Sequence, residues 1–225
     1  LPKELGGRDI DTLTHCILLE EMMAVEPGFA ATFHQVWRLA QHIGRQATEE
    51  QTKNFLIPFA EDDTCLLSIA QTEPGSGTDN TFPYRGVDGG IKLSAVKDGN
   101  DWVLNGTKHF VADASLAKIF IVLGRTDPNL PGPDGSTQFL MSRDTPGFTV
   151  GRTHDKLGAA LLMNAELILE NVRVPQSDIL MGLNEGFSDK ARHYGRGAPM
   201  VATFGLGTAR GAYEAALAYA RDTVR

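Results

Sequence analysis

The stretch VKDGNDWVLNGT, Val96–Thr107, decides the fold class because it contains two closely spaced glycine turns. In Val96–Asn100 and again in Val103–Thr107, a glycine stands between short runs of strand-forming residues. Asp-Gly and Asn-Gly pairs join neighbouring antiparallel strands, since their backbone accepts the positive φ that a tight hairpin needs. The stretch therefore predicts consecutive β-hairpins within an antiparallel sheet.

Further β runs follow the predicted hairpins. Strands are expected at Ile119–Arg125, Thr137–Ser142 and Ala165–Val174, with the Pro- and Gly-rich segment Asp127–Gly135 between the first two. Many short strands separated by turn residues are typical of sandwiches and barrels. We assign residues 65–183 to an antiparallel β-barrel middle domain.

Residues 1–64 have a helical pattern. A first helix has Leu13, Ile17 and Ala24 on one face, a second covers about Phe29–Ile43, and a third begins at Thr48. This threonine is followed three residues later by glutamine, which is the spacing of a capping box. The segment is therefore predicted to be a helical N-terminal region.

Residues 184–225 are predicted to begin a C-terminal helical bundle. A long helix is expected from Pro199, since proline is favoured at the first helical position. Gly205, Gly207 and Gly211 lie inside it and miss the spacing of a dinucleotide-binding fingerprint, so we interpret them as helix-packing positions. The pattern reaches Arg225 without a stop signal, and a longer protein is expected. The predicted fold class is α+β.

Composition argues against several partners. The 225 residues have a formal net charge of −7, which favours no nucleic-acid partner, and no apolar run approaches the roughly 20 residues of a membrane span. Cys16 and Cys65 are predicted to be reduced thiols, and no signal peptide is recognised. The expected location is cytoplasmic, or the mitochondrial matrix in a eukaryote.

The stretch SIAQTEPGSGTD, Ser68–Asp79, is the strongest candidate binding loop. Gly75 and Gly77 let a ligand approach the backbone, and Thr72, Ser76 and Thr78 offer hydroxyl groups. No helix follows, which argues against a phosphate loop. On these residues alone, a ligand-binding loop and an ordinary turn both stay open.

Common hydrolase and metal motifs are absent from the sequence. We interpret the scattered histidines as surface or core residues, and no metal is expected. They are His15, His34, His42, His109, His154 and His193.

Several motifs together resemble the acyl-CoA dehydrogenase family in order and spacing. They are SIAQTEPGSGTD, DWVLNGTKHFV (Asp101–Val111), DKLG (Asp155–Gly158), AEL (Ala165–Leu167) and NVRVP (Asn171–Pro175). LPKELGG at the start, the Glu20-Glu21 pair and GLGTARGAYEAALAYA near the end also match. The resemblance implies FAD as cofactor, an acyl-CoA substrate, a homotetramer and an electron-transferring flavoprotein or another acceptor. The implied reaction is α,β-dehydrogenation, in which a Glu removes the α-proton and flavin N5 receives the β-hydride.

The resemblance also implies cofactor-binding residues. Thr72 would bond the flavin ring, Thr78 would lie near the pyrophosphate or the acyl-CoA, and Phe110 would pack against the flavin, although a core strand residue is its alternative. Ala112 stands where the family has a Thr or Ser near N5. The full predicted set is Ile69, Gln71, Thr72, Gly77, Thr78, Phe110, Val111 and Ala112.

The catalytic base is not identified. By resemblance it lies beyond Arg225, and the alternative family position is occupied by Gly197. Arg192 and Arg196, with Thr78, are candidate contacts for acyl-CoA, and a solvated turn is an equal interpretation of the two arginines. The segment Phe33–Trp37 either closes the acyl pocket or packs in the core.

Two alternatives to a dehydrogenase remain. A flavin oxidase or monooxygenase could use the same fold, because the hydroxyl is missing at Ala112. A non-catalytic acyl-CoA- or flavin-binding homologue would agree with Gly197.

Overall fold

The computed structural model describes residues 1, 3–8, 10–80, 86–188 and 190–223, without the side chains of residues 190–196. The N-terminal helices are α1 (Thr12–Val25), α2 (Pro27–Gln46), α3 (Glu49–Gln51), a π-helical segment (Thr52–Leu56) and α4 (Ile57–Glu61). Thr48 caps α3 with both hydrogen bonds of a capping box, which confirms the third predicted helix start. A helical N-terminal region is therefore confirmed.

Eight strands form the middle of the molecule. They are β1 (Leu67–Ala70), β2 (Ser94–Asp98), β3 (Asp101–Val111), β4 (Ile119–Arg125), β5 (Ser136–Ser142), β6 (Phe148–Thr153), β7 (Ala165–Pro175) and β8 (Ile179–Leu180). Their order is β6-β7-β3-β2-β4-β5-β8, and β1 also pairs with β4. The core of the sheet contains Trp102, Leu104, Phe120, Phe139 and Leu167.

The predicted β-barrel is wrong, because the sheet is not closed. Within the described part of the chain, β6 and β8 end the path of paired strands and do not pair with each other. The sheet is also not purely antiparallel, since β1 and β2 both run parallel to β4. β2 meets β4 through the single pair Ser94 and Arg125, so two halves of the sheet separate there and enclose the core between them.

Only the first of the two predicted hairpin turns forms. Gly99 has φ of +64° in the turn between β2 and β3, as predicted. Gly106 instead lies inside β3, where the pairing with β7 shifts register. Its φ is +143°, and a Cβ atom there would lie 3.2 Å from Leu93. The Asn-Gly pair therefore lies inside a strand, opposite a bulge in β7 and close to Leu93, and does not form a turn.

The C-terminal helix α5 (Lys190–Asp222) packs on α1. It begins before Pro199, which lies inside the helix, so the predicted start is wrong. Gly207 and Gly211 are packing positions as predicted, since an added Cβ would lie 2.6 Å from the Glu20 carbonyl oxygen and 2.1 Å from that of Ala24, respectively.

The predicted face of α1 with Leu13, Ile17 and Ala24 is not the face that the helix buries. Leu13 and Ile17 are exposed, and the helix buries His15, Leu19 and Met23 instead. Cys16 and Cys65 are free thiols. Among the residues that the structure describes, no helix combines the length and apolar character needed to cross a membrane.

Candidate functional site

The loop after β1 lies against the end of β3. The backbone N–H of His109 donates to the Thr72 carbonyl at 2.8 Å, and Lys108 Nζ donates to the Gln71 carbonyl at 3.2 Å. In addition, Ser68 Oγ in β1 donates at 2.5 Å to the carbonyl of Ala112, the residue after β3. These contacts bring the two predicted cofactor-binding stretches together at one edge of the sheet.

The loop is held in shape by its own polar groups. Ser76 Oγ accepts from the Glu73 N–H at 3.0 Å and donates to the Glu73 carbonyl at 2.8 Å. Asp79 accepts from the N–H groups of Gly77 and Gly90, and the bond from Gly90 is the main cause that lowers the Asp79 pKa. The hydroxyl of Ser76, one of the three offered by the sequence, is therefore used inside the loop.

The other two hydroxyls remain available. Across the described ranges of the chain, the side-chain oxygens of Thr72 and Thr78 form no hydrogen bond with a protein group. Thr78 is exposed at the start of a short 3₁₀ helix, Thr78–Asn80, and Thr72 is half-buried. Both hydroxyls can donate to and accept from a ligand.

A buried ion pair supports the loop from below. Glu73 Oε1 lies 2.7 Å from Lys108 Nζ, and its two oxygens also accept from the N–H groups of Lys92 and Leu93 at 2.8 and 2.9 Å. Burial lowers the pKa of Lys108 to about 8, although the Glu73 charge acts in the opposite direction. Because the Glu73 carboxylate is fully engaged, we interpret it as a structural group and not as a catalytic base.

Phe110 projects from a second β-bulge. Its φ is +52°, a conformation that costs energy for a residue with a side chain, and 54% of the residue is exposed. The Phe110 carbonyl accepts from Asn164 Nδ2 at 2.8 Å, and Asn164 Oδ1 accepts from Lys156 Nζ at 2.6 Å. The lysine of the DKLG motif thus fixes Phe110 through Asn164, and Phe110 is not the core residue that its strand position allowed. Val111, the next residue, is buried.

Helix α2 borders the site on the side of Asp113. The Asp113 carboxylate is fully buried and accepts from the Thr32 hydroxyl at 2.8 Å, while burial is the main cause that raises its pKa. Gly28 lets the helix approach the segment 159–162, since an added Cβ would lie 3.0 Å from backbone atoms there. The helix is therefore fixed relative to the end of β3.

The aromatic residues of Phe33–Trp37 divide between surface and core. His34 is buried and packs edge-on against Phe204 of α5 at 5.1 Å between ring centroids. Phe33 is 37% exposed and contacts Phe29 and Trp37 edge-on. The core interpretation therefore applies to His34, and Phe33 remains a candidate for the acyl pocket.

The remaining predicted residues belong to α5. The side chains of Arg192 and Arg196 lie outside the described residues. Gly197 lies in α5, where an added Cβ would meet nothing within 4 Å. A cavity of about 330 Å³ between α4 and the sheet contains none of the predicted site residues, since it is lined by residues such as Phe55 and Lys118.

The comparisons with known proteins agree with this arrangement. Residues 1–63 match the family model "Acyl-CoA dehydrogenase, N-terminal domain", and residues 68–172 match "Acyl-CoA dehydrogenase, middle domain". The second match covers both the loop after β1 and the end of β3. The chain belongs to the acyl-CoA dehydrogenase family.

Individual acyl-CoA dehydrogenases support the same fold. The mitochondrial short-chain specific enzyme of Bos taurus is 31% identical over 224 residues, which is 99% of this chain and 52% of that protein. Butyryl-CoA dehydrogenase from Megasphaera elsdenii matches with a TM-score of 0.88 and 31% identity, over 100% of this chain and 57% of that one.

A second solved structure, also of an acyl-CoA dehydrogenase, contains the reduced cofactor. A glutaryl-CoA dehydrogenase from Mycobacterium smegmatis in complex with FADH2 has a TM-score of 0.82 and 30% identity, over 98% of this chain and 53% of that one. Our chain therefore spans little more than half the length of these relatives.

Proposed function

We propose that the protein is an FAD-dependent acyl-CoA dehydrogenase that introduces an α,β double bond into an acyl-CoA thioester. Residues 65–183 would contact flavin and substrate, between the helical regions 1–64 and 184–225. Family membership supports this function, since the N-terminal and middle-domain models both match and relatives such as the Bos taurus enzyme are acyl-CoA dehydrogenases. The acyl chain, the electron-transferring flavoprotein or other acceptor and the homotetramer belong to the same proposal.

The observation that carries the proposal is the hydrogen bond from His109 N–H to the Thr72 carbonyl. This bond joins Thr72 to the residue before Phe110, so the backbones of the two proposed flavin contacts meet at one edge of the sheet. A flavin needs hydrogen-bonding groups along its polar edge and an apolar contact for its ring, and this pair offers both.

The glycines of the loop also leave room for the phosphate and ribose groups of a cofactor. An added Cβ at Gly75 would meet nothing within 4 Å, and one at Gly77 would meet only Asp79 at 3.7 Å. A phosphate or ribose could therefore approach the main chain there, and Thr78 would donate its hydroxyl. When bound, the flavin would supply the hydride acceptor for the substrate β-carbon.

The site residues of this chain would position the flavin and the substrate and would not transfer the α-proton. Thr72 would hold the polar edge of the ring, Phe110 would limit its movement, and Ile69, Gln71, Val111 and Ala112 would complete the surface. The α-proton would be taken by a Glu beyond Arg225, as the family pattern implies. Thr78, Arg192 and Arg196 are the proposed contacts for acyl-CoA.

The test is a spectrum of the full-length protein, followed by anaerobic addition of a panel of acyl-CoA thioesters. We expect a flavin band that one thioester bleaches, which identifies the substrate class. A flavin band that no thioester bleaches would exclude the dehydrogenase activity. A protein that neither retains nor takes up flavin would contradict the proposed site.

A second function follows from Ala112, where the family has a hydroxyl near N5. A flavin with a different set of hydrogen-bond donors near this position could favour oxygen as acceptor. An oxidase or monooxygenase would consume oxygen rapidly once reduced, whereas a dehydrogenase would pass its electrons to an electron-transferring flavoprotein. Retention of flavin without reaction on either route would favour the non-catalytic homologue.

A further inference from the structure

Two β-bulges lie opposite the same residue of β7. In the pairing of β3 with β7, Lys108 is opposite Leu167 and Val111 is opposite Ala165, so one extra residue of β3 faces Glu166. The pairing of β6 with β7 contains the same irregularity, between Val150 and Thr153. Glu166 is therefore flanked by β3 and β6, and each of these strands has two residues opposite this one residue of β7.

The two bulges bring three polar side chains close to one another. His109 lies in the bulge of β3 and Glu166 in β7, and His154 follows the last residue of β6. His109 Nε2 lies 3.1 Å from Glu166 Oε1, and the two imidazole rings meet edge-on with 4.6 Å between centroids. One ligand atom from each of the three residues lies within 4.8 Å of the other two. Bulges commonly redirect side chains in this way next to functional sites.

One nitrogen of this cluster lacks a partner. His154 Nε2 is buried and forms no hydrogen bond within the part of the chain that the structure describes. A buried polar atom without a partner costs free energy, so such an atom in a folded protein calls for a ligand or another explanation. The rest of the cluster is reachable from solvent, since the side chains of His109 and Glu166 are 24% and 29% exposed.

We propose that His109, His154 and Glu166 form a binding site for one divalent transition-metal ion, with Zn²⁺ as the best-suited probe. Two imidazole nitrogens and one carboxylate are a known protein ligand set for Zn²⁺, with metal–ligand distances of about 2.0–2.2 Å. Because the three ligand atoms already lie within 4.8 Å of one another, small side-chain rotations would bring them to that distance from one ion. Gly151 leaves room for the carboxylate, because an added Cβ there would lie 3.1 Å from the Glu166 side chain.

The proposed metal site lies next to Phe110, and its three ligands are not among the residues that we assign to flavin. The Phe110 ring lies 4.1 Å from the His109 ring and 4.6 Å from the His154 ring between centroids. An ion would therefore immobilise the two imidazoles against which Phe110 packs. The neighbouring cation Lys156 is directed away, at the Leu162 carbonyl and Asn164.

The test is a calorimetric titration with ZnCl2 of the full-length protein, purified without an affinity tag and treated with a chelator. We expect one equivalent to bind, and we expect His154→Gln and Glu166→Gln each to weaken the affinity by at least roughly 10–100-fold, since loss of even a hydrogen-bond partner of a metal ligand costs this much. Glu170→Gln is the matched control, because Glu170 is exposed in the same strand outside the cluster, and it should bind as the wild type does.

Two results would overturn the proposal. The first is the absence of Zn²⁺ binding, and the second is binding that both site variants retain, which would show adventitious binding elsewhere on the surface. Circular dichroism and flavin content check that each variant is folded. Glu166→Gln keeps the size of the side chain and a polar partner for His109, so this variant still gives an answer if His154→Gln fails to fold. Because the readout is metal affinity, the outcome is separate from that of the acyl-CoA test.

Discussion

The ammonium group of Lys108 lies 2.7 Å from the carboxylate of Glu73, and both side chains are buried. The pair joins β3 to the loop after β1, and the same carboxylate accepts from the N–H groups of Lys92 and Leu93. Breaking a buried pair by removing one partner leaves an uncompensated charge. The pair is therefore the main electrostatic support of the proposed flavin loop.

Lys108→Met should lower the free energy of unfolding by about 3–5 kcal/mol, because Glu73 would remain buried without its counter-charge. Urea unfolding followed by circular dichroism measures the change. Lys118→Met is the control, since Lys118 pairs with Asp62 at 2.6 Å on the exposed surface and should have little effect. Equal losses in the two variants would show that the buried pair has no special role.

The Lys108 pair also predicts a pH dependence. Burial lowers the Lys108 pKa to about 8 in the folded protein, from its usual value of 10.5. Between these pH values the unfolded chain holds a proton that the folded chain has lost, so the free energy of unfolding rises with pH. We expect wild type to gain up to about 1.4 kcal/mol per pH unit relative to Lys108→Met in urea unfolding. Parallel pH profiles of the two proteins would contradict the lowered pKa.

Thr72→Val should shift the visible spectrum or the redox potential of the bound flavin, because it removes the hydroxyl that we assign to the polar edge of the ring. The substitution keeps the shape of the side chain. Thr149→Val is the matched control, since Thr149 is an exposed threonine of β6 outside the site. A spectrum and potential unchanged from wild type would remove Thr72 from the flavin edge.

Asn164→Ala should weaken FAD binding by roughly tenfold, because it removes the hydrogen bonds through which Lys156 holds the Phe110 carbonyl. The quenching of FAD fluorescence on titration gives the dissociation constant. Asn129→Ala serves as control, since Asn129 is exposed in the loop between β4 and β5. If both variants bind FAD equally well, Phe110 does not depend on this connection.

Gly211→Ala and Gly205→Ala should change stability in opposite directions. A methyl group at Gly211 would lie 2.1 Å from the Ala24 carbonyl oxygen, so α5 must move away from α1 and the protein is destabilised. At Gly205 a methyl group meets nothing within 4 Å, and better helix propensity should stabilise by about 1 kcal/mol. Thermal unfolding of both variants tests the packing, which would be refuted if Gly211→Ala were the more stable.

The sequence predicted those parts of the fold that depend on local pattern. Strand β4 is predicted with the bounds Ile119–Arg125 because it begins with five consecutive apolar residues, and the structure buries the whole strand. Gly106 was misjudged because an Asn-Gly pair is favourable in a turn and can also lie inside a strand, and the contact with Leu93 that decides between them is distant in sequence. Strand β6 was missed because it is mostly exposed and contains Gly151.

For the candidate site, the motifs predict which residues take part but not the contacts that fix them in place. Thr72 and Phe110 could be assigned to one site only through the family resemblance, and the structure brings their backbones together. Lys108 and Lys156 lie in the quoted motifs, but their roles could not be predicted, because a lysine in a strand or loop is normally a surface residue and its partners become visible only in the fold. His109, His154 and Glu166 share no motif, and only the two bulges bring them together.

The parallel pairing of β1 with β4 sets an order of assembly during synthesis of the chain. Ser68 and Ile69 pair with Phe120 and Ile121, so β1 leaves the ribosome well before its partner strand exists. The β2–β3 hairpin can close locally, whereas β1 must wait for a contact that spans many residues, and such contacts form slowly. The loop that we assign to FAD is therefore synthesised early, but the strand before it can complete its pairing only after β4 has been translated.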